Sequence, residues 1–226
     1  HNFYSKYKKK GKRSKIVFCV PSTLIHFFQQ KLKSKHISIG AQNCHSQNGF
    51  GPFTGSVNAH MLKKAGAKYV ILGHSENRIE GEKNSLIQKK IKSALNQNLI
   101  VILCIGETIK EKRRGKTFFT LKHQIKNCIN KKFNLNKIII AYEPIWSIGS
   151  GKIPRENDLR QTLRFIKNET KKIFKTQRPP NVLYGGSVND RNIRFFSSIS
   201  EIDGFLIGSA SLTSKKFIDI IKNYYK

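Results

Sequence analysis

Acidic residues are scarce in this chain. Its 226 residues hold 13 Asp and Glu against 43 Lys and Arg, a formal net charge of +30. Cysteine is also sparse. Cys19, Cys44, Cys104 and Cys128 lie far apart with no Cys-x-x-Cys pair, which argues against a zinc ribbon or a disulfide framework and for a reducing, cytoplasmic setting. No apolar run reaches the roughly 18 residues that a membrane helix needs, so no membrane partner is expected. The basic start, His1 to Lys15, has no apolar stretch of the kind a secretory signal carries. With 38% hydrophobic residues the chain can bury a sizeable core, and no linker divides it. Residues 1–226 read as a single domain.

The positive charge raises the question of a polyanionic partner. The lysines, however, are spread along the whole sequence. No basic ribbon interleaved with aromatics supports a nucleic-acid site. Solvated lysines on helix faces are the plainer reading, and no specific nucleic acid is expected.

What the chain does have is a repeated unit. Short apolar runs recur: KIVFCVP (15–21), HISIGAQN (36–43), YVILGHSE (69–76), LIVILCIGE (99–107), KIIIAYEP (137–144), NVLYGGSV (181–188) and GFLIGSAS (204–211). Continuous, β-branched runs suit strands buried on both faces, as in parallel sheets. Between them lie amphipathic stretches. Residues 83–97 put Leu86, Ile87, Ile91, Ala94 and Leu95 on one helical stripe, and residues 156–174 do the same with Leu159, Leu163, Phe165, Ile166 and Ile173. The pattern is an α/β fold with a parallel sheet. An open doubly wound sheet usually carries a glycine-rich loop after its first strand, and KIVFCVPSTLI has none. In a (β/α)8 barrel the chemistry sits at the C-terminal strand ends. That is where His74, Glu143, Gly185-Gly186-Ser187 and Gly208-Ser209 fall, although seven runs leave such a barrel one strand short.

Glu143 ends an apolar run, is fixed by Pro144, and precedes the chain's single Trp and a Gly/Ser-rich segment. That is the composition of a lid over a carboxylate. A carboxylate closed off from water becomes a stronger general base. His74 follows another run. If Ser75 begins a helix, its N-terminus disfavours imidazolium, and a neutral ring can donate to a carbonyl oxygen. Glu76 either accepts a hydrogen bond from a neighbour in the site or caps the helix. YGGSV and IGSAS offer backbone N–H groups for a phosphate.

The segments AQN (41–43), FTG (53–55), ILGHSE (71–76), CIGE (104–107), AYEPIWSIGSGK (141–152), YGGSV (184–188) and DGFLIGSASL (203–212) together resemble the triosephosphate isomerase family over nearly the whole length. The resemblance implies a TIM barrel that interconverts dihydroxyacetone phosphate and D-glyceraldehyde 3-phosphate through an enediolate. Glu143 would be the base, His74 the electrophile and Glu76 its catalytic neighbour. Gly149, Ser187, Gly208 and Ser209 would bind the substrate phosphate, and residues 144–152 would form the lid. Cys104 would be a packing residue near the base. It implies no metal and no organic cofactor, and a homodimer built around the loop at Thr54. Several departures stand out. The family's first strand, ending in Asn-x-Lys, has no match. HNFYSKYKKKGK (1–12) reads as the helix after it, which implies a chain that begins just past that strand. Ser209 replaces a glycine, and Ser56 and Asn77 replace charged residues that pair across the dimer. A rival reading is a degenerate barrel of the same family kept as a basic anion- or nucleic-acid-binding protein without turnover.

Overall fold

The structure, a computed structural model, describes residues 14–32 and 36–225. The helix expected over residues 1–12 lies outside the described residues. Seven strands form one sheet, β1 (Ile16–Val20), β2 (Ile37–Ala41), β3 (Tyr69–Leu72), β4 (Ile100–Ile105), β5 (Ile138–Tyr142), β6 (Val182–Tyr184) and β7 (Gly204–Phe205), each parallel to the next and in sequence order. The helices are α1 (Ile25–Lys31), α2 (Ala59–Lys64), α3 (Ser75–Ile79), α4 (Asn84–Asn96), α5 (Ile109–Arg113), α6 (Thr117–Cys128), α7 (Glu156–Phe174), α8 (Ile193–Ser197) and α9 (Ser214–Tyr225). Strand and helix alternate along most of the chain, the architecture of a (β/α) barrel. Among the described residues β1 and β7 are the sheet's two edges.

Two apolar layers sandwich the sheet. The larger one fills the space between strands and helices and includes Leu72, Ile91, Leu103, Ile140, Leu163 and Tyr184, each fully buried. The smaller one lies on the other face and centres on Tyr69, Ile71, Ile102, Cys104 and Ala141, with Val17, Cys19, Leu183 and Leu206 packed against it. Side chains alternate faces along a strand. Glu143, two residues beyond Ala141, and Gly185, two beyond Leu183, therefore belong to this inner face, at the C-terminal end of the sheet. Burial follows position. β4 is buried at five of its six residues, whereas β1 is half-buried throughout.

The helix expected over 156–174 forms over that span, with Glu156 and Asp158 in its first turn and Lys171 and Lys172 in its last, matching the helix dipole. In α4 the stripe differs at one place. Leu86 is exposed, and Lys90 is buried instead, held by Glu82 and by Asn43 Oδ1 at 3.0 Å. The last run yields only a two-residue strand, which ends at Phe205 opposite the last residue of β6, Tyr184; farther on Ser211 turns back onto Gly208 (N to O, 2.8 Å).

Candidate active site

Glu143 continues β5 by one residue, its N–H donating to the Ile105 carbonyl at 2.8 Å. The residue is 3% exposed. Glycines on the flanking strands make the room. A side chain at Gly106 would run into the Glu143 carbonyl, and one at Gly185 would lie 2.8 Å from Glu143 Cγ. One carboxylate oxygen, Oε1, stands 3.3 Å from His74 Nε2. The other, Oε2, is buried with no hydrogen-bond partner.

His74 leaves β3 as the N-cap residue of α3, without a side-chain cap bond. Its hydrogen bond to Glu143 is the largest influence raising the imidazole above its ordinary value. Burial opposes this, and the charges of Glu143 and Glu76 add to it. The sequence suggested that a helix N-terminus would set the ring's protonation. A five-residue helix is a weak dipole, and the carboxylate in contact outweighs it. Glu76 sits in the first turn of α3 with its side chain 83% exposed, 3.6 Å from His74 Nδ1. That is nearer to the cap role than to a direct hydrogen bond.

The segment after Glu143 is anchored at both ends. At its start the Ile145 N–H donates to the Glu107 carbonyl at 3.1 Å, and Trp146 Nε1 donates to Glu107 Oε1 at 2.8 Å. Lys112 Nζ lies 3.9 Å from the Trp146 ring centroid, a cation–π contact. At its far end the buried Ser147 hydroxyl donates to the Lys152 carbonyl at 2.6 Å. The tip between them, Gly149 to Gly151, is exposed, and both glycines hold positive φ, 63° and 72°. Ser187 is tied to this segment. Its hydroxyl donates to the Ser147 carbonyl at 2.5 Å and accepts from the Gly151 N–H at 3.2 Å. Gly208 and Ser209 are exposed and follow β7. Gly149, Ser187, Gly208 and Ser209 thus come from the loops after three neighbouring strands, at the same end of the sheet as Glu143.

Sequence reading gave Glu107 no role. It is 1% exposed and accepts the Tyr142 hydroxyl at 3.2 Å on each oxygen, besides the Trp146 indole. Burial pushes its carboxyl up, while the bonds from Trp146, its own backbone and Tyr142 oppose that shift. The signal for it was present: a scarce acid directly after an apolar run, as with Glu143. Cys104 is fully buried, and burial holds its thiol well above the ordinary range. It is therefore a protonated packing group, not a nucleophile.

The triosephosphate isomerase family model matches residues 1–224. Triosephosphate isomerase of Dictyoglomus thermophilum is 40% identical over 213 residues, covering 92% of this chain and 85% of that protein. That of Aquifex aeolicus is 37% identical over 226 residues, 99% of this chain and 91% of the relative. The 1.6 Å crystal structure of triosephosphate isomerase from Bartonella henselae matches with a TM-score of 0.86 at 34% identity, covering 94% of this chain and 86% of that one.

Proposed function

Because this chain belongs to the triosephosphate isomerase family, we infer that the pair formed by His74 and Glu143 is its reaction centre. The reaction interconverts dihydroxyacetone phosphate and D-glyceraldehyde 3-phosphate. Glu143 takes a proton from the carbon beside the carbonyl and returns it to the neighbouring carbon. His74 donates to the oxygen on which charge develops in the enediolate. One observation carries this reading: a buried carboxylate with one unpartnered oxygen stands 3.3 Å from an imidazole nitrogen. A substrate entering between them separates the two groups. His74 then loses the contact that most raises it and returns toward the neutral, donating form.

Residues 144–152 act as the lid over the enediolate, and Gly149, Ser187, Gly208 and Ser209 take the phosphate. Glu76 supports His74 from the surface. The test is isomerisation of glyceraldehyde 3-phosphate in heavy water. Turnover with solvent deuterium placed on the carbon that receives the proton supports the shuttle through Glu143. Absence of turnover in the folded chain overturns it.

The homodimer belongs to the same proposal. The loop over residues 46–58 carries Thr54, and Phe50 on it is 77% exposed. Leu24, Met61 and Ile79 are further exposed apolar residues. Asn77 is a neutral group held by Asn43 at 3.0 Å, and Ser56 is neutral too. With a net charge of +30 and no ion pair from these two residues, subunit repulsion is screened by salt. Association should tighten as ionic strength rises, and sedimentation showing a salt-independent dimer constant would count against it. We place the protein in the cytoplasm as a single domain. The four free cysteines support the first. Among the described residues no helix is long and apolar enough to cross a membrane.

A further inference from the structure

The peptide of Gly106 stands at a gap in the sheet. Along β4 and beyond, alternate residues turn their backbone groups toward opposite neighbours. The carbonyls of Ile105 and Glu107 face β5, where they accept from the N–H groups of Glu143 and Ile145. Gly106 therefore faces the side of β3. But β3 pairs with β4 only as far as Leu72 opposite Leu103, because the chain then departs to present His74. The N–H and C=O of Gly106 lose their strand partner at a buried place, where unmet backbone groups are costly.

A side chain fills that gap. Gln124, on the inner face of α6 and 8% exposed, accepts from the Gly106 N–H at 2.9 Å and donates to the Gly106 carbonyl at 3.0 Å. Its amide reproduces both bonds of a neighbouring strand. One step back along β4, Arg78 Nη2 donates to the Cys104 carbonyl at 3.1 Å while its Nε donates to the Gly73 carbonyl at 2.7 Å. Gly106 packs directly on the Glu143 carbonyl, with no room for even a methyl group.

We propose that Gln124 is a positioning residue for Glu143, acting through the Gly106 peptide it clamps. It extends the sheet where β3 has to leave β4, and so lets His74 depart from β3 while Glu143 stays held beside β4 on the other side. Loss of the clamp frees Gly106 to rotate and shifts the Glu143 backbone. Misplacement of a catalytic group by about 1 Å costs on the order of a hundredfold in rate. The inference rests on Glu143 being the base.

Two substitutions test it in the full chain. Gln124→Leu removes both bonds, and kcat should fall about ten- to a hundredfold with KM nearly unchanged. Gln124→Glu behaves differently. As a neutral acid it can donate its O–H to the Gly106 carbonyl and accept the N–H, restoring the clamp. As a carboxylate it loses the donor and repels that carbonyl. Charged groups near it are Glu107, next to Gly106, Glu143, whose carbonyl packs on Gly106, and Arg78, which reaches Cys128 one turn along α6 at 3.7 Å. Its kcat relative to the parent should be highest at acid pH and fall as pH rises, a profile that mere loss of packing does not produce. A folded Leu variant with kcat within about twofold of the parent, or a flat Glu-to-parent ratio, overturns the proposal. If the Leu variant does not fold, the Glu variant decides alone. If the parent has no turnover, the reading of Glu143 as base fails separately. The clamp is then judged by NMR titration of His74, which should drop toward its ordinary 6.5 in the substituted chain and stay unchanged if Gln124 does not position Glu143.

Discussion

Two glutamates end neighbouring strands of this sheet, and they have opposite surroundings. Glu107 follows β4, is 1% exposed, and meets three donor contacts from Tyr142 and Trp146. Glu143 follows β5, is 3% exposed, and has one oxygen near His74 and the other with no partner. Burial is the same, so burial does not distinguish a reactive carboxylate from a structural one. Saturation does. A carboxylate with both oxygens engaged by donors holds its neighbours in place. One that keeps a lone pair free in a dry site can take a proton from carbon. The two also share a scaffold, since the segment carrying Trp146 begins at Glu143 and is fastened to Glu107.

The largest break in this comparison is Glu143→Gln. It keeps the shape and removes the base, so turnover should fall roughly a hundred- to ten-thousandfold, the usual range for a general base. The melting temperature should barely move, because the glutamine carbonyl oxygen can still accept from His74 and from the Cys104 thiol. Steady-state kinetics with a parallel melt checks both. Turnover near the parent's would remove Glu143 from the mechanism.

Glu107→Leu should reverse that division. It removes the acceptor of the Trp146 indole N–H and leaves the Tyr142 hydroxyl only Thr162 as partner, and a buried group left unmet costs about 1–3 kcal/mol. A loss of about 2–4 kcal/mol in denaturant unfolding is expected, with a rate loss smaller than that of Glu143→Gln. A fully stable Leu variant would show that Glu107 is not the anchor its contacts describe. Trp146→Phe is milder. It withdraws a single donor from Glu107 and leaves Lys112 an aromatic face. About 1 kcal/mol and a few-fold rate loss from a looser lid are expected, both well below the effect of removing the carboxylate.

Much of this was legible in the sequence because it rests on local pattern. The runs at 99–107 and 137–144 read as buried parallel strands from their short, continuous β-branched composition, and the helix at 156–174 as an amphipathic one from its periodicity. Glu143 stood out through its proline, its lone Trp and the glycines around it. What stayed hidden depends on who meets whom across the fold. Glu107 shares with Glu143 only its place after an apolar run, and what it does depends on Tyr142 and Trp146, over thirty residues away. The clasp of Gln124 on Gly106 follows from where β3 stops pairing, which no window of sequence reveals. Lys90 was expected on a solvated face like the other lysines. It is buried because Glu82 and Asn43 meet it from other elements.

The finest test compares the two acids through pH. Burial raises the Glu107 carboxyl above its ordinary 4.5. Between that value and its folded one, the native chain holds a proton that the unfolded chain has released. Stability should therefore fall as pH rises through this window, since the native state binds more protons there. Glu107→Gln mimics the protonated acid. Its amide oxygen still accepts from Trp146 Nε1, and the Tyr142 hydroxyl can rotate to accept from its NH2. It cannot ionise, so this part of the slope should vanish. The melting temperature of the variant minus that of the parent should rise as pH is taken upward from 4.5, then level off once Glu107 is ionised in the native parent. Other titrating groups cancel in the difference, so parallel melting curves would mean that the hydrogen bonds to Glu107 already offset its burial in full.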